Sequence, residues 1–131
     1  MTLRTYLIED NAVIRENLLA TLADLAQVET IGTTDNEQEA ARWLRTHEHQ
    51  WDLAIVDVFL REGNGLNVLA ACRRRLPGQK VVVFSNHATP EVRRRCAQLG
   101  ADAVFDKSTE IEALLEYCEE QRTAAPGVGM N

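Results

Sequence analysis

The chain lacks the features of several protein classes. Its 131 residues contain only three cysteines, Cys72, Cys96 and Cys118, which form no CxxC or cysteine–histidine pattern. We therefore expect buried thiols in a reducing compartment. No apolar run approaches the roughly 20 residues that cross a bilayer, and the first residues show no basic-then-apolar signal pattern. These absences predict a cytoplasmic protein without a membrane contact.

The chain also has fewer basic than acidic residues. The chain carries 14 lysine and arginine residues against 20 acids, which gives a formal net charge of −6. An acidic chain has little general affinity for nucleic acid. Two arginine runs, residues 73–75 and 93–95, lie on predicted helices whose other faces are apolar, so we interpret them as solvated helix surface. We expect no direct nucleic-acid contact within this chain.

The composition that is present, 45% apolar and 26% charged, is that of one ordinary globular domain. There is no internal repeat, and short apolar segments alternate with segments of helical spacing. The predicted strands cover residues 2–9, 28–34, 52–57, 80–85 and 102–106. The inward-facing helix positions are Ile14, Leu18, Leu22 and Leu25, then Ala40 and Leu44, then Leu66, Leu69, Cys72 and Leu76, then Val92, Cys96 and Leu99, and finally Ile111, Leu114, Leu115 and Cys118.

Capping residues set the predicted helix boundaries. Asn11 can cap a first helix over 11–25, and Asp35 with Gln38 resembles a capping box for a second helix. Pro77 ends the third helix, and the Thr89-Pro90 pair opens the fourth.

Strands that alternate with helices predict an α/β fold, a doubly wound parallel sheet of (βα)5 units. The polar second strand suits a sheet edge, so the flavodoxin-like strand order 2-1-3-4-5 is favoured. Ligands of such sheets bind beyond the carboxyl ends of the strands. We expect residues 1–121 to form the domain and residues 122–131 to be a flexible tail or the start of a linker.

Five polar residues fall at the carboxyl ends of the predicted strands: Glu9, Asp10, Asp57, Ser85 and Lys107. Two carboxylates 4 Å apart repel by about 4 kcal/mol at an effective dielectric of 20, and one lysine does not compensate three of them. A hard divalent cation would compensate their charge, and an open site with retained water suits Mg²⁺. Asp57 is then a candidate nucleophile toward a phosphoryl group, with Ser85 and Lys107 stabilising the transferred charge.

Four segments, LIEDN, AIVDVFLREGNGLNVL, VVVFS and GADAVFDKS, resemble the conserved blocks of the response regulator receiver domain of two-component signalling. The resemblance covers about residues 3–121. It implies that Asp57 is the phosphoacceptor, that Asp10 is a direct Mg²⁺ ligand and that Glu9 acts on the metal mainly through water. It implies a further ligand in the backbone carbonyl of Phe59.

The same resemblance implies that Ser85 is the hydroxyl that moves toward the phosphoryl group and that Lys107 is the ion-pairing lysine. The implied donors are a sensor histidine kinase, a phosphotransfer protein or a small phosphodonor. The domain would catalyse its own phosphorylation and dephosphorylation without being a turnover enzyme. The face formed by helix 4, strand 5 and helix 5 would bind a downstream protein target.

A homodimer through that face is a further possibility. Residues 93–95 on helix 4 are basic, whereas Glu112, Glu116 and Glu119 on helix 5 are acidic, so these charges can pair across a two-fold axis.

Four positions depart from the family pattern. Arg61 and Ser108 replace prolines that many members carry, so the geometry of the peptide bond before Ser108 is open. Asn86 is larger than the residue common there and narrows access to the acceptor. Val104 stands where most members carry the aromatic residue of the switch, and Phe105 should point to the opposite face of the strand.

Other classes fit less well. A haloacid-dehalogenase-type phosphatase needs a second aspartate as general acid two residues after its nucleophile, where this chain has Phe59. A flavodoxin needs small and hydroxylated residues in the first loop, where this chain has the acidic sequence EDN. A receiver-like interaction module that is never phosphorylated stays open as the alternative.

Overall fold

The computed structural model describes residues 2–124, and the ten expected elements are all present there. The strands form one five-stranded parallel sheet in the order β2-β1-β3-β4-β5, so the expected fold class is confirmed. In chain order the elements are β1 (Leu3–Ile8), α1 (Ala12–Ala26), β2 (Val28–Thr34), α2 (Glu37–Thr46), β3 (Leu53–Val56), α3 (Gly65–Ala71), β4 (Lys80–Ser85), α4 (Pro90–Gln98), β5 (Ala103–Asp106) and α5 (Ile111–Thr123).

Each face of the sheet has its own apolar layer. The four residues of β3 are all buried, with Ala54 and Val56 in one layer and Leu53 and Ile55 in the other. This alternation explains why the strand is a continuous apolar run in the sequence. The central strand is therefore a rigid base for the residue that follows it, Asp57.

Within residues 2–124, no helix has the length and apolarity needed to cross a membrane.

The expected caps hold at two helices and fail at a third. The Asn11 side chain accepts a hydrogen bond from the Ile14 N–H at 3.0 Å, and Thr89 caps α4. In α2 the cap is Asn36 instead of Asp35. Asn36 has an extended backbone and lies three residues before Glu39, so its side chain reaches the Glu39 N–H at 2.9 Å.

The third helix is shorter than expected, and Leu76 is exposed rather than inward-facing. The chain leaves the helix after Ala71. The Arg75 guanidinium donates to the Cys72 carbonyl oxygen at the end of this helix, and also to the carbonyl oxygens of Gln79 and Gly100. The apolar spacing that continues to Leu76 is therefore not helical.

One apolar position of α1 is also wrong, since Leu25 is 69% exposed. The buried row of this helix runs through Leu18, Leu22 and Ala26, at intervals of four residues. A small alanine therefore packs on the sheet where the spacing allowed a leucine.

The carboxyl end of α5 extends past the expected domain limit. Arg122 forms an ion pair with Glu119, and the Thr123 hydroxyl donates to the Glu119 carbonyl at 3.2 Å. Positions 122 and 123 of the expected tail are therefore helical. Residues 125–131 of that tail lie outside the described residues.

The three cysteines are free and buried, as expected. Burial raises the pKa of Cys72 to about 11 and that of Cys118 to about 12. Such thiols are protonated at neutral pH and act as small apolar groups.

Gly65, the first residue of α3, packs against the backbone that carries the acceptor. A Cβ at this position would lie 2.3 Å from the Asp57 carbonyl oxygen and 2.4 Å from the Val58 Cα. We predict that Gly65→Ala lowers the free energy of unfolding by about 2–3 kcal/mol, measured by urea denaturation, because backbone atoms must move. Ala70→Ser, exposed on the same helix, is the control and should change stability little.

Candidate functional site

Three carboxylates meet at the carboxyl edge of the sheet. Glu9 and Asp10 follow β1 and Asp57 follows β3, and because these strands are parallel neighbours, their ends lie together. One carboxylate oxygen from each residue lies within 4.8 Å of the others. Glu9 and Asp57 are buried, whereas Asp10 is half-buried. The structure thus brings together the three acids that the sequence places at strand ends.

Lys107 lies between two of these acids. Its Nζ is 2.5 Å from Oε1 of Glu9 and 2.8 Å from Oδ2 of Asp57. Although burial disfavours the ammonium, the hydrogen bonds that it donates to Asp57 and Glu9 raise the pKa of Lys107 above its ordinary value. The lysine is therefore a fixed cation, and it leaves the cluster with two uncompensated negative charges.

Glu9 is the most deeply buried of the three acids, with 2% of its surface exposed. This burial raises the pKa of Glu9, although the Lys107 ammonium and the Asn11 N–H oppose the change. The free carboxylate is thus costly at this position unless a cation is near.

Backbone N–H groups hold each carboxylate in place. One oxygen of every acid accepts a hydrogen bond from a loop that follows β1 or β3, which limits rotation of the side chain. The pairs are Glu9 with the Asn11 N–H at 3.1 Å, Asp57 with the Phe59 N–H at 3.0 Å and Asp10 with the Arg61 N–H at 2.7 Å. The site is therefore preorganised by main-chain contacts that any residue except proline can make at positions 11, 59 and 61.

The donor set fits a hard divalent cation. Three carboxylates with one buried lysine carry excess negative charge, and carboxylate oxygens are the ligands that Mg²⁺ prefers. Glu9, Asp10 and Asp57 are the side chains placed to hold it. Phe59 reaches the site through its N–H, and the role of its carbonyl oxygen stays a prediction.

Ser85 ends β4 and is fully buried. Its carbonyl oxygen accepts from the Lys107 N–H at 3.0 Å, while its hydroxyl oxygen accepts from the His87 N–H at 3.1 Å. Among the described residues, the hydroxyl makes no hydrogen bond with Asp57 or Lys107. Ser85 is thus hydrogen-bonded to Lys107 through the backbone, and its hydroxyl contacts the β4–α4 loop.

The rim of the site holds an aromatic pair that the sequence did not indicate. Phe59 is 52% exposed, and its ring meets that of His87 edge-to-face, with 4.5 Å between centroids. Each residue lies two positions past a strand-end site residue, Asp57 or Ser85. That equal offset from the ends of adjacent parallel strands is the signal that could have revealed the pair.

Two of the unusual positions have a structural answer. No cis peptide bond occurs in residues 2–124, so the bond before Ser108 is trans. Ser108 donates through its N–H and its hydroxyl to one carboxylate oxygen of Asp106, at 2.8 and 2.5 Å. Val104 packs half-buried against the layer formed by α2, α3 and α4.

The interpretation of the arginine runs as solvated surface is wrong for Arg75, whose side chain is 12% exposed, whereas the side chain of Arg93 is 39% exposed. Arg75 pairs with Asp102 at 2.8 Å, and Arg93 pairs with Glu110 at 2.7 Å. The middle arginines, Arg74 and Arg94, are exposed. Arg93 therefore has a partner within its own chain.

Comparison with known proteins gives a consistent result. A family model for the response regulator receiver domain matches residues 6–119. The response regulator VraR of Staphylococcus aureus is 21% identical over 116 residues, covering 88% of this chain and 54% of VraR. The DNA-binding transcriptional regulator NtrC of Azospirillum brasilense is 28% identical over 111 residues, covering 85% of this chain and 22% of NtrC.

The fold also matches solved structures. The crystal structure of a LuxR-family two-component response regulator from an Aurantimonas species superposes with a TM-score of 0.82 at 19% identity, covering 98% of this chain and 93% of that one. The chain spans about half the length of VraR.

Proposed function

The chain belongs to the response regulator receiver domain family of two-component signalling, and on that premise we propose that Asp57 accepts a phosphoryl group in a Mg²⁺-dependent reaction. Members of this family are signalling switches rather than turnover enzymes. The observation that carries the proposal is the convergence of Glu9, Asp10 and Asp57 around one edge of the sheet, with Lys107 bonded to two of them.

The transfer is a displacement at phosphorus. A carboxylate oxygen of Asp57 forms a bond to phosphorus, and the bond between phosphorus and the donor's leaving group breaks. The leaving group keeps the electron pair, so acetyl phosphate would depart as acetate. The N–H of Phe59 and the ammonium of Lys107 each hold one oxygen of Asp57, which fixes the orientation of the nucleophile before the donor arrives.

Charge control explains the rest of the site. Mg²⁺, when held by Glu9, Asp10 and Asp57, supplies positive charge to the transferring phosphoryl oxygens. Lys107 is already at the acceptor and adds a second cation. The hydroxyl of Ser85 accepts from the His87 N–H and keeps its own proton, which it can donate to the phosphoryl group once the β4–α4 loop moves.

The raised pKa of Glu9 predicts that Mg²⁺ binding depends on pH. A metal needs the ionised carboxylate, so protons compete with it. As pH falls from neutral toward the raised pKa, the apparent Mg²⁺ affinity should fall, by up to about tenfold per pH unit once the proton dominates. Titration calorimetry over a pH series measures the slope.

Glu9→Gln is the control for that slope. It should bind Mg²⁺ more weakly at neutral pH and with a flatter pH dependence, because the amide does not titrate in this range. An unchanged slope in Glu9→Gln would assign the competition to another acid.

The signal would leave through the face formed by α4, β5 and α5. A histidine kinase or phosphotransfer protein is the proposed donor, and a downstream protein, or a second copy of this chain, is the proposed partner for that face. The expected domain limit at residue 121 and the cytoplasmic location also stay predictions. Phosphorylation replaces the single negative charge of the Asp57 carboxylate with a phosphoryl group that carries about −1.5 to −2, which biases one of two arrangements of the β4–α4 region.

The experiment that tests the function uses the whole chain with acetyl phosphate, and separately with beryllofluoride, each with and without Mg²⁺. We expect a mass increase of one phosphoryl group, and fluorine NMR signals of bound beryllofluoride, only when Mg²⁺ is present. If neither signal appears in the presence of Mg²⁺, the result favours the alternative, an interaction module that is not phosphorylated.

A further inference from the structure

Arg93, in the first turn of α4, connects three separate segments of the chain. Its guanidinium donates to the carbonyl oxygens of Ala88 and Val104, both at 3.0 Å, and to Oε1 of Glu110 at 2.7 Å. The same carboxylate oxygen accepts from the Asp106 N–H at 2.9 Å. We call the contacts among these five residues the Arg93 clasp.

Two of the clasp contacts are close in sequence to the two groups that would act on the phosphoryl group. Ala88 is three residues after Ser85, in the β4–α4 loop, and Val104 is three residues before Lys107, on β5. The clasp therefore joins the loop that follows the hydroxyl to the strand that leads to the lysine. It does so at position 104, where the side chain is a small valine.

We propose that the Arg93 clasp holds the β4–α4 loop in its unphosphorylated arrangement, and that phosphoryl binding at Asp57 is coupled to its release. This inference rests on the proposed function. It makes Arg93 and Glu110 positioning residues, because neither touches the acceptor.

The direction of the coupling follows from Ser85. With the clasp formed, the Ser85 hydroxyl accepts from the His87 N–H in its own loop and is not bonded to Asp57. A movement of the loop toward the acceptor displaces the Ala88 carbonyl, which Arg93 holds. The clasp and the bound phosphoryl group therefore favour different arrangements of the same loop.

The strength of the clasp suits a reversible element. The Arg93 and Glu110 side chains are 39% and 35% exposed, so solvent and salt screen their ion pair. Such a contact biases a local equilibrium without locking it. Coupling then requires that a change which weakens the clasp strengthens phosphoryl binding, because the competent arrangement becomes more populated.

Beryllofluoride affinity in the presence of Mg²⁺ tests this coupling in the whole chain. We compare the wild type with Arg93→Gln, Glu110→Gln and the double variant, by titration followed with fluorine NMR. Each single variant should bind beryllofluoride about fivefold more tightly. The double variant should gain little more, because the two residues act through one ion pair.

Three control variants separate positioning from a general structural role. Arg94→Gln and Glu112→Gln remove exposed charges next to the clasp residues and should leave the affinity unchanged. Arg93→Lys keeps the charge, but one nitrogen does not replace a guanidinium that reaches Ala88, Val104 and Glu110 together, so it should resemble Arg93→Gln. Urea midpoints are measured in parallel, since a purely structural role lowers the midpoint without tightening beryllofluoride binding.

The outcomes are distinct. If the wild type binds beryllofluoride and the clasp variants bind equally or more weakly, the clasp proposal is overturned while the proposed function stands. If the wild type does not bind beryllofluoride at all, the proposed function fails, and the clasp proposal fails with it. Tighter binding in Arg93→Gln, Glu110→Gln and Arg93→Lys, with unchanged controls, supports the proposal.

Discussion

Asp57→Asn should abolish phosphorylation of the chain by acetyl phosphate, with a loss of at least about a thousandfold in the initial rate. The amide keeps the shape of the side chain, and its oxygen can still accept from the Phe59 N–H, so the loop should be retained. It removes the negative charge and the nucleophilic oxygen pair that face Lys107. Intact-mass measurement after incubation with acetyl phosphate and Mg²⁺ gives the result directly.

Asp102→Asn is the matched control for Asp57→Asn. Asp102 also borders a strand and pairs with a basic residue, Arg75, but it precedes β5 and therefore lies at the amino ends of the strands, opposite the carboxylate cluster. Its substitution should leave the phosphoryl mass increase intact. Full phosphorylation of Asp57→Asn would show that another residue is the acceptor and would refute the assignment.

The fold could be predicted from the sequence because buried positions recur in it at the spacing of strands and helices. The buried run 53–56 and the alternating helical positions fix the layers of the sheet, and the polar β2 could only be an edge. The errors lie where local hydrogen bonds compete with spacing. At the end of α3 the Arg75 guanidinium bonds the Cys72 carbonyl oxygen, and at α2 the capping residue is Asn36 instead of its neighbour Asp35.

Part of the candidate site could be predicted from the sequence, and part of it could not. The acids and Lys107 could be placed from strand ends alone, since parallel strands deliver their carboxyl ends to one edge. The contacts of Arg93 could not be placed, because its partners come from a loop, from β5 and from the residue before α5, and they follow no sequence period. A run of three arginines does not indicate that one of them, Arg93, joins three separate segments of the chain.

Lys107→Met should destabilise the metal-free protein by about 3 kcal/mol, measured as the free energy of urea unfolding in EDTA. The side chain of Lys107 is only 7% exposed and lies between two buried carboxylates, so its loss leaves uncompensated charge in a poorly solvated site. Methionine fills a similar volume, so the change reports charge rather than a cavity. Lys80→Met, at the half-buried start of β4, is the control and should cost far less.

Two conditions should reverse the defect, and their signs identify its cause. Saturating Mg²⁺ should stabilise Lys107→Met more than the wild type, because the cation no longer meets a competing ammonium at Glu9 and Asp57. Acid should act in the same direction. Burial already holds the pKa of Glu9 above its unfolded value, and without the ammonium it rises further, so the native state binds protons more tightly than the unfolded state. The stability of the variant relative to the wild type should then increase as pH falls from neutral through that raised pKa. A deficit that neither Mg²⁺ nor acid changes would mean that Lys107 supports packing, and the electrostatic account of the site would be wrong.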